Sequence, residues 1–156
     1  MNFDFEVRKL TQRFYLERPI QEFRDLLRKH ERGYSTLLVD THSDYYICIP
    51  FRSEIGHEYA YKFRHSIRSQ RSHSGLDYTK ICIIKDGNYI DEKPAVVDQD
   101  EYREMRDNIE TIVDEAVSYI NVYIDHVKGI SRLNNRQYRK KYWYTTLKYF
   151  HAELGI

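Results

Sequence analysis

The stretch YSTLLVDTHSDYYICIPF, residues 34–51, reads as two strands joined by a turn. Leu37, Leu38 and Val39 lie on one side of the turn-prone Thr41–Asp44 segment, and Tyr45 to Phe51 supply a second β-rich run on the other. Before this hairpin, Phe3, Phe5 and Val7 alternate with Asp4, Glu6 and Arg8, the period-two pattern of a half-buried strand. After Arg18-Pro19, the residues Ile20, Phe23, Leu26 and Leu27 recur at helical spacing and predict a short helix ending near His30, before Gly33 releases the chain into the hairpin. Beyond the hairpin, YAYKF and LDYTKICII read as strands, and IRSQRSHSG reads as a mobile polar loop. Asp86-Gly87 reads as a turn, and NYI and AVV as short strands. Strand follows strand without βαβ alternation, so the expected fold class is α+β with a compact antiparallel sheet or barrel decorated by helices.

Two helices complete the expectation. Asp98 suits a helix N-cap, with Glu101 three residues on completing a capping box. Tyr102, Met105, Ile109, Ile112, Val113, Ala116, Tyr119, Ile120, Tyr123 and Val127 then form one apolar stripe, which Gly129 ends. A final helix is expected from about Arg136 to Leu154, burying Tyr142, Leu147, Phe150 and Leu154. With 156 residues, no repeat and no long linker, residues 1–156 read as a single domain.

Composition narrows the function classes. Hydrophobic residues are 41% and charged residues 31% of the chain, and no apolar run approaches the ~18 to 20 residues of a membrane span. The N-terminus MNFDFEVRKL lacks the apolar core of a signal peptide, so a cytoplasmic location is expected. Cys48 and Cys82 sit in apolar runs and read as buried free thiols. No metal-ligand spacing and no cofactor box is present. The net charge of +1 conceals segregation: Asp98–Glu115 holds eight acids and two bases, whereas Lys128–Lys148 holds seven bases and no acid. A polarised surface of this kind commonly serves a polyanion.

Between Pro50 and Lys80 the sequence PFRSEIGHEYAYKFRHSIRSQRSHSGLDYTK concentrates functional groups. From Lys62 to Ser74 there are four fixed positive charges, two histidines and no acid, a segment expected to face water or an anion such as phosphate. Metal-independent RNA cleavage needs a base for the ribose 2′-hydroxyl, an acid for the leaving 5′-oxygen and donors for the phosphate in flight. His57 is the candidate proton carrier, Arg52 and Lys80 the candidate phosphate holders, and Ser53 a donor to a nonbridging oxygen. Tyr59 and Tyr61 are suited to stack a base, and Lys62, Arg64, His65, Arg68 and Arg71 to contact its backbone. In RQYRKKYWYTTLK, Arg136, Arg139 and Lys140 interleave with rings, a second pattern suited to structured RNA. Plainer readings stand beside these: Arg52-Ser53 as a turn cap, His57 as a hydrogen-bonded surface residue, Tyr59 as half of a core-facing pair, the arginines as a solvated loop, and the C-terminal rings as packing against the acidic helix.

The pattern PFRSEIGHEYAYK, followed by GLDYTKICII and the turn into NYI, resembles the type III toxin-antitoxin endoribonucleases, the ToxN-like group and in particular its CptN and TenpN branches. The resemblance spans roughly Met1 to Val127 in element order, with its specific residues between Pro50 and Lys80. It implies an SH3-like barrel related to the MazF and Kid toxins. It also implies a cytotoxic, metal-independent endoribonuclease that trims, and is inhibited by, a small repeated antitoxin RNA folded as a pseudoknot, with protein and RNA copies in a multimeric assembly. Arg52 and Ser53 stand where ToxN-like proteins have Thr-Ser, and His57 and Lys80 match the branch reading Arg-Ser then His. Glu54 and Ile55 depart from the Pro-Lys found there, so the basic group must come from Lys62, His65 or Lys80, and the general base stays open. Tyr34 lies near an aromatic that the family uses to hold RNA.

The resulting expectation is in-line attack giving a 2′,3′-cyclic phosphate, with binding that weakens steeply between 50 and 200 mM salt. The alternatives are an RNA-binding adaptor without catalysis, and an interaction domain whose acidic and basic regions pair with other copies.

Overall fold

The computed structural model describes residues 2–29 and 33–156. The hairpin forms as its sequence predicts, β2 (Ser35–Asp40) pairing antiparallel with β3 (Tyr46–Arg52), and β1 (Asp4–Lys9) pairs with the free side of β2. Leu37, Leu38 and Val39 are buried in succession, as are Ile47 to Phe51, so both faces of these strands are covered. Truncating such a side chain to Ala costs about 2–5 kcal/mol.

The far edge of β3 is divided. Its last residues pair with β5 (Gly75–Asp77), which pairs in turn with β4 (Ala60–Lys62), while Tyr46–Cys48 pair with β6 (Cys82–Ile84). Ile49 and Pro50 face the gap between these partners, and there the Tyr78–Lys80 segment leaves the ladder as a 3₁₀ turn. Proline has no amide proton to donate, which fits an interruption at that point. LDYTKICII is therefore two short strands around a turn. The six strands form an antiparallel sheet, ordered β1-β2-β3-β5-β4 with β6 branching from β3, and no pairing joins β4 back to β1 among the described residues. Gly75 is required by close approach: a Cβ there would lie 2.3 Å from the Tyr61 carbonyl oxygen.

Several sequence expectations change in three dimensions. The helix expected after Pro19 is a series of turns, and a helix instead precedes it, α1 (Gln12–Leu16), capped by Thr11. The Arg28 guanidinium takes the carbonyls of Tyr15, Arg18 and Phe23, bonds that hold the turns in place of a helical ladder. The expected end near His30 lies outside the described residues. NYI and AVV are not strands: Gly87–Tyr89 is a 3₁₀ turn, and the chain beyond follows the outer edge of β1 through Asp91 N–H to the Lys9 carbonyl and Ala95 N–H to the Val7 carbonyl. The polar loop is a helix, α2 (Ile67–Ser72), with Ser66 as its N-cap.

The acidic helix is two, α3 (Gln99–Asp107) and α4 (Ile109–Val127), broken at Asn108, whose side-chain amide donates to the Glu104 carbonyl. Its apolar stripe faces the core as expected, and Asp98 caps it. Glu101 does not close a capping box, because its carboxylate is turned toward Ser66 and Ser74. The C-terminal helix also divides, into α5 (Asn135–Tyr142), a 3₁₀ turn at Thr146–Tyr149 and α6 (His151–Leu154). Thr145 and Thr146 account for the break, the first hydroxyl accepting from Leu147 N–H and the second donating to the Ile81 carbonyl. No described helix is long and apolar enough to cross a membrane. Cys48 and Cys82 are buried and unbonded to each other although they are register partners across β3 and β6.

Candidate functional site

The divided edge of β3 creates the site. Where β5 ends, Asp77 turns into the gap, fully shielded from solvent, and caps the following turn through Thr79 N–H at 2.9 Å and the Thr79 hydroxyl at 2.6 Å. Arg52, the last residue of β3, donates from Nη1 to Asp77 Oδ2 at 3.1 Å, and its Nε reaches the Ser53 carbonyl. His57 arrives from the turn between β3 and β4 and places Nε2 3.1 Å from Asp77 Oδ1. That turn is anchored on the end of α2, with Ile55 N–H donating to the His73 carbonyl and Glu54 N–H to that of Ser72, and Glu54 adopts a left-handed conformation at φ 58°.

The hydrogen bonds fix the imidazole's tautomer. Tyr59 N–H donates to His57 Nδ1 at 3.0 Å, so the proton of the neutral ring sits on Nε2 and points at Asp77. Burial alone raises the Asp77 pKa, but hydrogen bonds from His57 and Thr79 and the charges of His57 and Arg52 outweigh it and hold the carboxyl below its ordinary value. Arg52 and His57 keep 26% and 34% of their side-chain surface exposed over a carboxylate that has none. Lys80 ends the same turn and donates from Nζ to the Tyr144 carbonyl at 3.1 Å. Burial lowers its pKa, partly offset by the charges of Asp25 and Asp77. Arg52 and His57 thus meet at an aspartate that the motif reading did not single out, while Lys80 stands at the end of the turn that follows it, its ammonium held at Tyr144. Its sequence signal was available: Asp77 is the only acid between Glu58 and Asp86.

Ser53 is placed elsewhere. It lines a cavity of about 670 Å³ with Lys9, Lys29, Tyr34, Arg68 and Glu101, so the Arg52-Ser53 pair is split between two environments. Tyr34 lies under the Lys29 ammonium at 4.9 Å. The cationic arm from Lys62 to Arg71 is fastened by acids from α3. Glu104 accepts from the Tyr61 hydroxyl and from the N–H groups of Arg64 and His65, and Glu101 accepts from Ser66, Ser74 and Arg68. The side chains of Lys62, Arg64, His65 and Arg71 remain exposed, while Arg68 is half-buried. Burial and the Glu104 bond push the Tyr61 phenol up to about 12, which keeps it protonated as a donor.

Tyr59 stacks on His57, ring centroids 6.1 Å apart. Arg136, Arg139 and Lys140 are exposed on α5, Arg139 over the Trp143 ring at 5.1 Å and Lys140 3.8 Å from Glu58. Among the described residues, Asp4, Asp40 and His42 bring metal-ligand atoms within 4.8 Å of one another. This trio is solvent-facing, at the opposite end of the hairpin from Arg52. No protein-family model, curated protein or solved structure matches this chain.

Proposed function

We propose that the Asp77-centred cluster is the active site of a metal-independent endoribonuclease. The observation that carries the reading is the convergence of Arg52 and His57 on a fully buried carboxylate, with Lys80 one turn away. In this reading Arg52 presents its free guanidinium edge to the scissile phosphate. The substrate 2′-hydroxyl replaces Tyr59 N–H at His57 Nδ1 and gives up its proton there, while Asp77 steadies the imidazolium through Nε2, as in other His–Asp pairs. The 2′-oxygen forms its bond to phosphorus as the bond to the 5′-oxygen breaks. Lys80, its ammonium made more acidic by burial, supplies the leaving oxygen's proton. The products are a 2′,3′-cyclic phosphate and a 5′-hydroxyl.

The exposed cations of the arm from Lys62 to Arg71 and of α5 serve as backbone contacts for a longer RNA. The toxin role, a cytoplasmic setting, the pseudoknot antitoxin and the multimeric assembly belong to the same proposal and rest on the resemblance of residues 50–80. The SH3-like barrel belongs with them, supported by the way β3 pairs with β2 along one edge and divides its other edge between β5 and β6.

A second reading, an RNA-binding adaptor without catalysis, is favoured by the occupation of both imidazole nitrogens, one by Tyr59 N–H and one by Asp77. Incubation with RNA in chelator separates the two: cleavage to cyclic phosphate ends is the enzyme's result, and intact RNA retained on the protein is the adaptor's.

A further inference from the structure

Three rings stand in a row at the end of α5, and their surroundings differ. Tyr142 is 1% exposed and donates its hydroxyl to the Tyr119 carbonyl of α4 at 2.7 Å, whereas Trp143 and Tyr144 are 51% and 65% exposed. The turn that carries them is fixed from within. Thr145 and Thr146 are fully buried, Thr145 N–H donates to the Tyr142 carbonyl, and the Thr146 hydroxyl donates to that of Ile81. An anchored backbone therefore holds two large ring surfaces out to solvent.

Trp143 closes a groove of about 680 Å³ along α5, whose other walls are Asn135, Arg136, Tyr138 and Arg139. The Arg139 guanidinium lies over the indole at 5.1 Å, and the half-buried Tyr138 ring stacks on His126 with centroids 4.5 Å apart. No carboxylate lines this groove. Lys140 has Glu58 and Lys148 has Asp25, but no described carboxylate lies within ion-pair distance of Arg136 or Arg139. Two guanidiniums without an acid, an indole and a primary amide match the phosphate, the face and the edge of a nucleotide. The end of α5 also borders the Asp77 site, since the Tyr144 carbonyl takes the Lys80 ammonium and Lys140 reaches the neighbour of His57.

We propose that the Trp143 groove takes one unpaired nucleobase of the bound RNA, stacked on the indole, with the adjoining phosphates on Arg136 and Arg139. The inference rests on the reading of the Asp77 cluster as an RNA site and adds the class of substrate, a single strand. A base stacked inside a duplex has no free face for the ring. The charge of the walls selects a polyanion over a protein surface of mixed charge.

Trp143 is the chain's only tryptophan, so its fluorescence reports on the groove. The full chain is titrated with a 2′-O-methyl single strand, which lacks the attacking hydroxyl and stays whole, and with the same strand annealed to its complement. The single strand should quench the indole with saturation, and the duplex should leave most of the emission. Trp143→Leu should weaken single-strand binding, read by anisotropy of a labelled strand, about fivefold or more, the size of one base stack, and Trp143→Phe should restore most of the loss. No quenching by the single strand, equal quenching by the duplex, or parental affinity in Trp143→Leu would each overturn the proposal. The nuclease reading fails separately. Quenching without cleavage of ordinary RNA in chelator removes the catalytic assignment and leaves the groove, whereas cleavage without quenching removes the groove and leaves the assignment.

Discussion

Asp77 and the pair Glu101 and Glu104 are all carboxylates with almost no solvent exposure, yet they gather different company. Glu101 and Glu104 take mainly hydroxyls and backbone N–H groups, and apart from Arg68 their partners have no charge to offer a ligand. They act as struts that fasten the 61–74 segment to α3. Asp77 collects Arg52 and His57, whose outer surfaces stay open, and a turn that presents Lys80. A buried anion that consumes its donors supports a fold, whereas one that holds half-exposed cations in place prepares a surface for a second anion.

The largest effects should come from deleting the two kinds of centre. Asp77→Ala leaves Arg52 without its buried partner and Thr79 N–H without an acceptor. It should cost about 3–5 kcal/mol in urea unfolding. Asp77→Asn keeps the shape and tests the charge. The folded pKa of Asp77 lies below its ordinary value near ~4, so its stabilisation is complete above that value and is lost as pH falls through the depressed one. The parent should therefore lose stability on the acid side of pH 4 more steeply than Asp77→Asn, and identical acid profiles would remove Asp77 from the electrostatic account.

Glu101→Ala strands the Ser66 and Ser74 hydroxyls and should cost about 1–3 kcal/mol. Its sharper signature is local: trypsin should cut at Arg64, Arg68 or Arg71 faster than in the parent, while Asp77→Asn leaves that arm protected. Equal cutting in both variants would erase the distinction between strut and site. The smallest effect should belong to Ser53→Ala. Because Ser53 faces the 670 Å³ cavity away from Asp77, RNA cleavage should change by less than about twofold, the scale of a surface substitution. A loss of a hundredfold would return Ser53 to the reacting centre.

The hairpin at residues 34–51 and the stripe from Tyr102 to Val127 were legible because local periodicity and turn chemistry determine them. The segment from Lys62 to Ser74 was misread because its missing acids arrive from α3, some 30 to 40 residues later, and no window along the chain shows them together. Those acids turn a predicted loop into a capped helix. The break in LDYTKICII was equally hidden, since it depends on Pro50 and on two different partners along one strand edge. Arg52, His57 and Lys80 were found by residue type, but Asp77, which arranges two of them, looked like an ordinary turn residue.

The most direct test of the Asp77-centred site compares the parent with His57→Ala and Arg52→Ala on one RNA in chelator, reading product ends by mass spectrometry. The parent should yield 2′,3′-cyclic phosphates, and each variant should be at least about a hundredfold slower while its urea midpoint shows that it is folded. Cleavage at the parent's rate by both folded variants, or products carrying 5′-phosphates, would contradict the account.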